Sequence, residues 1–534
     1  MARGQFPVPR SPFDLYAFVD DSDRQALFDR GLLPWWSHPQ ITIRFFRPLS
    51  SALLFLDHRI FGAHPFPMHL HSLVWWLFAV LAVRALARRL FPSARVQLMA
   101  TAIFALAPCH AVPLSWIANR EVLLALTFGV LALPRYAEFR RTRALAPAGL
   151  ALLLFALALF SGGEYALSFT GYVVAFDVVR RRESVVSRVT GWLPFALPAA
   201  AYMGVRGALH YGSHGSGFYS DPLRDPGRFF HKAPERLVTL LADGWLSVDS
   251  TAWTAAWMRV ALFVIVAVAV SCGVIAFRRA FAAQADTARE NVTWMLAGSL
   301  GSLVPVLAVV PSTRLLGVAM VGVSMCVAVV LDFAWWQEKE LAGMRRGVTA
   351  LCAVFLGFSH FIHGPGTTWL KARSLRDDAR ELAWKAGNIA GALPPGAPAR
   401  VGIVRGSAGM FFAPFALPGG QVPARWNFLA QGGHVLTQRR DEYTLEVATP
   451  KHRGLYPEGD LNLYRSEDER LAVGSEVRVP GLRATILELQ DGRPSKVRFT
   501  FDVPLEELTW FTEQRNGVRV VAVPEPGFGA PFDF

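Results

Sequence analysis

Between two apolar runs the chain reads "APCHAVPLSWIANRE" (Ala107 to Glu121), which sets Cys109, His110, Trp116, Asn119, Arg120 and Glu121 where lipid-facing residues would cost less. Other ionisable groups fall at comparable places. Arg47 lies in "FFRPLSSALLFLD", His69 and His71 open the first long apolar run, Glu164 sits in "FSGGEYAL", and Arg314 follows Pro311 in "VVPSTRLLG". Ionisable groups at membrane depth are expensive and usually face a cavity or a partner. An arginine near the headgroups suits a phosphate, because its planar fork makes paired charge-assisted hydrogen bonds. A carboxylate beside it can serve as a general base.

Plainer roles compete for the same residues. Arg120 and Arg314 could snorkel from helix ends, His110 could be a hydrogen-bonded turn residue, and Glu164 could cap the next helix, where the macrodipole favours an anion. His69 and His71 are two apart, so on a helix they point to different sides, and no metal site is expected. "GSHGSG" (Gly212 to Gly217) superficially resembles a phosphate loop but follows no strand.

The elements that must position these groups follow from composition. Of 534 residues, 52% are hydrophobic and 18% charged, against about a quarter charged in soluble domains. Long apolar runs recur until about Ile362, and ordinary polar sequence follows. A bilayer core takes about 20 apolar helical residues. Candidate spans are 68–86, 96–107, 122–133, 146–160, 166–179, 190–205, 257–277, 292–310, 315–333 and 348–362. The four cysteines lie in or beside apolar runs, where they behave as small apolar residues. The net charge of +13 gathers in short arginine clusters between runs, such as "RALARR", "FRRTR" and "RRRE", so no nucleic-acid partner is expected. Such clusters orient spans. They follow every second span, which places residues 208–256 and everything after Ile362 on the outer side. Residues 1–66 fall there too, yet they are polar and no span precedes them. They are either translocated unaided or follow a first span lying upstream, and we favour the second.

The expected organisation is an outer N-terminal segment (1–66) with re-entrant or amphipathic helices and a transmembrane domain (67–362) with an outer loop (208–256). An amphipathic connector helix (363–395) and a β-rich domain (396–534) follow. In the last, "RVGIVRG" predicts a buried strand, "ATILELQDGRPSKVRFTFD" a hairpin turning at Asp491-Gly492, and "GVRVVAV" a further strand.

Four blocks carry a resemblance. "FALAPCHAVPLSWIANREVLLAL", "RPLSSALLFLDHRIFGAHPFPMHLHSL", "ALFSGGEYALSFTGYVVAFDVVRRR" and "PSTRLLGVAMVGVSM" occur in the order seen in GT-C glycosyltransferases. The chain resembles their branch related to protein O-mannosyltransferases and TPR-bearing relatives. It also resembles a bacterial group of multi-span proteins containing "GLLPWW" and "WIANR". The resemblance implies a polytopic all-α GT-C-like bundle of about ten spans, its first span missing, with a C-terminal β-rich α+β domain. It implies transfer of a sugar from a polyprenyl-phosphate carrier to an unspecified acceptor on the outer face of a bacterial inner membrane. The lipid-linked sugar is then the donor substrate, and no cofactor is needed. Arg47, Arg120 and Arg314 would hold the carrier phosphate. Asp20, Asp21 and Glu164 would be catalytic, and His69, His110, Trp116 and Asn119 would line the cavity. The departures are informative: the family's Lys-Glu is Gly163-Glu164 here, and its "ERYLYLP" block keeps only its arginine. A non-catalytic GT-C-like scaffold or lipid-binding envelope protein acting through the C-terminal domain is therefore the alternative.

Overall fold

The computed structural model describes residues 11–62, 64–179, 184–250, 256–337, 344–394, 399–418, 423–450, 454–514, 517–527 and 529–532. They form two large hydrophobic cores, one within a helical bundle and one within a β-rich domain that also takes in residues from Val19 to Ile43, and a small third cluster around Ala242, Leu246 and Val248.

The N-terminal arm contains β1 (Ala17–Val19), α1 (Arg24–Asp29) and β2 (Thr42–Arg44). Next comes α2 (Pro48–Phe61), which begins on a proline, the residue whose missing N–H costs nothing at a helix start. It buries Ser50, Ser51 and Asp57 and exposes Phe55, Leu56 and Ile60, the pattern of a helix lying against lipid. The bundle continues with α3 (Pro65–Leu90), α4 (Ala94–Leu106), α5 (Ala111–Ser115), α6 (Glu121–Thr142), α7 (Leu145–Gly162), α8 (Thr170–Val179) and α9 (Val185–Ala208). After β3 (Gly212–His214) come α10 (Pro226–Leu246), α11 (Ala256–Ala282), α12 (Asp286–Gly301), α13 (Gly317–Asp332), α14 (Met344–Phe358) and α15 (Gly364–Ala392).

Among the described residues, seven helices are long and apolar enough to cross a membrane, or eight if the α4–α5 pair, bent by 42°, is one span. The chain is thus a multi-pass membrane protein. Three of the ten expected stretches, 146–160, 166–179 and 190–205, differ from simple separate spans. Residues Leu145–Val179 form one apolar length, yet they reverse at Gly163, whose φ is +62°. A Cβ on Gly162 would meet Ala125 near one end of α6, whereas Asp177 pairs with Arg140 near the other, about four turns away. Stretch 190–205 is α9, which carries Pro194 and Pro198 and turns Leu193, Leu197 and Val205 outward.

Helix α13 is the axis of the bundle, with 94% of its apolar window buried, so it is apolar on every face. It approaches α12 closely because Gly322 has no side chain: a Cβ there would lie 2.1 Å from the Met295 carbonyl oxygen. Of the basic clusters, "RRRE" (residues 180–183) lies outside the described residues; Arg95 and Arg140 lie at one end of the bundle, where Arg95 pairs with Asp332 at 2.7 Å and Arg140 with Asp177.

The C-terminal domain carries β4 (Arg400–Arg405), β5 (Arg425–Phe428), β6 (Val435–Arg439), β7 (Thr444–Ala448), β8 (Glu476–Val479), β9 (Leu482–Gln490), β10 (Arg493–Phe501), β11 (Thr509–Gln514), β12 (Gly517–Val520) and β13 (Gly529–Phe532). One sheet has the order β13-β6-β7-β10-β9-β8, and the other β12-β11-β4-β5 with β4 parallel to both neighbours. The β9–β10 hairpin turns at Asp491 and Gly492, both at positive φ as an Asp-Gly turn requires.

The arm is not separate from this domain. Trp35 and Trp36 are 1% and 0% exposed inside its core. Trp36 stacks on Tyr456 at 5.5 Å, and Trp35 meets Phe499 edge-on at 5.4 Å. Gly31 is required for this docking: its φ is +66°, and a Cβ would lie 2.2 Å from the Trp426 carbonyl oxygen. Two adjacent tryptophans in a polar segment therefore mark an insertion into a distant core.

Candidate active site

At the end of the bundle opposite the basic clusters lies a cavity of about 290 Å³. Its walls come from six places in the sequence. The arm supplies Tyr16, Phe18, Phe45 and Arg47, and the turn before α6 supplies Trp116, Asn119 and Glu121. Glu164 follows the reversal at Gly163, and Arg206 ends α9. The loop after α9 gives Ser213, Tyr219 and Asp221, and the segment between α12 and α13 gives Pro305, Val309 and Arg314.

Two charge clusters face this space. In the first, Arg47 donates to Glu121 at 3.1 Å while the Asn119 amide donates to the same oxygen at 2.8 Å. The Tyr16 hydroxyl reaches the Ala118 carbonyl at 2.7 Å and approaches the other Glu121 oxygen at 3.5 Å. Burial works against the Arg47 charge, but Glu121 and Glu164 hold it protonated, above its ordinary value. In the second cluster, Arg206 bridges Glu164 at 2.6 Å and Asp221 at 2.9 Å. Burial raises the Asp221 carboxyl, but hydrogen bonds from Arg206 and the Leu223 N–H outweigh it and leave the group below its ordinary value.

Arg314 stands apart from both. Its guanidinium carbon lies 6.0 Å from the Trp116 ring, and among the described residues it has no carboxylate within ion-pair distance. Tyr219 is the meeting point. Burial lifts its phenol above the ordinary range, Arg314 and Arg47 pull it down, and Glu164 and Glu121 push it up. One phenol thus senses four charges from four separate segments.

The structure brings together Arg47, Arg314, Glu164, Trp116 and Asn119 from the sequence-predicted set. The others lie elsewhere. Asp20 accepts from the Ser22 N–H and hydroxyl and faces Arg44 at 3.6 Å, and Asp21 pairs with Arg24 at 2.8 Å with 74% of its side chain exposed. Both satisfy their own turn instead of lining the cavity. Arg120 turns the opposite way from Glu121. It pairs with Asp57 and donates to the Ser72 hydroxyl and the Met68 carbonyl, so it ties α2 and α3 to the turn before α6. His69 bonds the Leu114 carbonyl at 3.0 Å, and buried His110 bonds the Phe104 carbonyl at 2.8 Å. These are turn-locking bonds, and neither ring lines the cavity.

Sequence reasoning passed over Glu121 as a site carboxylate and missed Arg206, Tyr219 and Asp221. A signal for the last three existed in "YGSHGSGFYSDP", a polar, glycine-rich loop directly after an apolar helix ending in arginine.

The chain matches no protein family and no curated protein. Among solved structures, it is similar to the crystal structure of ArnT from Cupriavidus metallidurans bound to undecaprenyl phosphate, with 14% identity, a TM-score of 0.34, and coverage of 75% of this chain and 83% of that one.

Proposed function

We propose that the chain is a membrane glycosyltransferase of the GT-C kind, taking a sugar from a polyprenyl-phosphate carrier. The observation that carries this reading is Arg314: an arginine with no carboxylate partner among the described residues, in one cavity with Glu164 and Glu121. A free guanidinium beside apolar walls suits the phosphate of a lipid-linked ligand. The basic residues at the far end suit the cytoplasmic side, which supports reading the cavity and the C-terminal domain as lying outside the cytoplasm.

In this reading Arg314 holds the carrier phosphate. Glu164, oriented by Arg206 and with 28% of its side chain exposed, takes the proton from the acceptor hydroxyl. The acceptor oxygen bonds to the sugar's anomeric carbon as the bond from that carbon to the phosphate oxygen breaks. Arg314 offsets the charge gathering on the departing carrier phosphate. Arg47 and Glu121 form the fixed floor.

The test is binding of undecaprenyl phosphate to purified wild type and Arg314→Ala by native mass spectrometry, with transfer from labelled polyprenyl-phosphate sugars. Loss of a charge-assisted contact should weaken binding by about 10- to 100-fold, and Glu164→Gln should abolish transfer without weakening binding. Unchanged binding and transfer in both variants would overturn the assignment. One observation favours the non-catalytic alternative: Glu121, Glu164 and Asp221 are each already engaged by an arginine. That alternative predicts carrier binding without transfer in the wild type.

A further inference from the structure

We infer that the C-terminal domain sets the shape of the cavity through Asp460, which acts as a positioning residue for two cavity walls. The ligand part of this inference rests on the reading above.

The chain of contacts starts on α10, where Arg228, Lys232 and Arg236 are four residues apart and so share one face. All three converge on Asp460: Arg236 at 2.7 Å, Lys232 at 3.5 Å and Arg228 at 3.6 Å. Arg228 also faces Asp468 at 3.6 Å, and Lys232 faces Glu467 at 3.5 Å. The two arginines are nearly buried, at 9% and 2% side-chain exposure. Each reaches onward to a cavity wall. Arg228 donates to the carbonyls of Ser216 (3.1 Å), Gly217 (2.8 Å) and Tyr219 (3.4 Å), in the loop that presents Tyr219. Arg236 donates to the Leu307 carbonyl at 2.9 Å, in the turn that presents Pro305 and Val309.

The two walls are also bonded to each other and to the domain. Ser220 donates to the Ala308 carbonyl at 2.8 Å, and Val310 to the Phe218 carbonyl at 3.0 Å. Gly217 donates to the Asn462 carbonyl at 2.8 Å, beside the Asp460 turn. Here a side chain is excluded, since a Cβ would lie 2.4 Å from the carbonyl oxygens of Asn462 and Gly459. Removing the Asp460 charge leaves two buried guanidinia without their shared counter-ion, the situation that most strongly drives rearrangement. The parts free to move are the wall segments those guanidinia hold.

The experiment compares full-length wild type, Asp460→Asn, Asp460→Glu and Gly217→Ala in detergent micelles, by hydrogen–deuterium exchange over 212–222 and 303–311 and by undecaprenyl phosphate binding. Expected are at least about tenfold faster exchange of the Gly217, Ser220 and Val310 amides in Asp460→Asn, a parallel loss of carrier affinity, and recovery to within about threefold in Asp460→Glu. Gly217→Ala, which removes no charged group, should show the same exchange signature. Unchanged exchange in these segments in both Asp460→Asn and Gly217→Ala overturns the inference, even if the carrier binds normally. Faster exchange with no carrier binding in the wild type upholds the positioning role and refutes the glycosyltransferase reading.

Discussion

Glu121→Gln tests the electrostatics of the cavity through a sign that intuition gets wrong. The lining carries three arginines (Arg47, Arg206 and Arg314) and three carboxylates (Glu121, Glu164 and Asp221), so its formal charges cancel. Replacing Glu121 by the neutral amide leaves one net positive charge while keeping the side chain's shape. A cavity of about 290 Å³ is about 8 Å across, and at an effective dielectric of about 20 a unit charge at that distance contributes roughly 2 kcal/mol. A phosphate monoanion should therefore bind about 30-fold more tightly to the variant. The empty variant should be less stable, because Arg47 loses a partner at 3.1 Å in a buried setting. Part of that loss is offset by the Phe45 and Tyr16 rings, 4.8 and 5.2 Å from its guanidinium carbon. Thermal unfolding with and without undecaprenyl phosphate, at low and high salt, separates the two effects. The expected outcome is a lower Tm without ligand and a larger ligand-induced rise. Equal or weaker binding by a folded Glu121→Gln protein would refute the charge argument.

Two further predictions concern the parts that hold the cavity. Trp36→Ala removes a fully buried side chain and should cost about 3–5 kcal/mol; limited proteolysis should then cut within 20–45, and an unchanged digestion pattern would show that the arm docks by other means. Asp243 is buried on α10, where burial and Asp249 lift its carboxyl against hydrogen bonding from Ser250, to about 7 from an ordinary 3.8. The folded state therefore holds an extra proton between those values, and stability falls as pH rises from 3.8 towards 7 and then levels. Asp243→Asn escapes this and should gain Tm over wild type at pH 8 but not near pH 4, with an upper bound of about 4 kcal/mol. An equal difference at both pH values would contradict the sign.

The sequence exposes the bundle because lipid demands long apolar helices, and it exposes the β9–β10 hairpin because Asp491-Gly492 has few other uses. It also marks Ala107 to Glu121 as a place where polar groups need partners. It does not say which neighbour meets which partner. Arg120 and Glu121 are adjacent, yet the tight turn over Ile117–Arg120 sends one to Asp57 and the other to Arg47. A lone aspartate inside "ALLFLDHRIF" was the available hint that α2 needs a buried cation. Asp20 and Asp21 mislead for the opposite reason: acidic residues in a turn can satisfy themselves locally, as both do. The polar loop that carries Tyr219 and Asp221 is visible in the sequence, but its place at the cavity is not, because Asn462 and Asp460, about 240 residues away, set it through contacts with no local signature.

That placement bears on how the enzyme and scaffold readings can be told apart. Deleting the C-terminal domain looks like a clean test of whether it alone carries the function. Yet the deletion would strip the core around Trp35 and Trp36, from which the arm runs to Tyr16 and Arg47 at the cavity. It would also remove Asp460 from Arg228 and Arg236, which hold the loop of Tyr219 and the turn at Leu307. Walls on both sides would lose their anchors, so a null phenotype follows whether the chain is a transferase or a scaffold. Discrimination has to come from inside the cavity, where Glu164 is held by Arg206 and Arg314 faces Trp116, and neither is bonded to Asp460, Arg228 or Arg236. Arg314→Ala, with no ion pair to break, is the most direct of these probes.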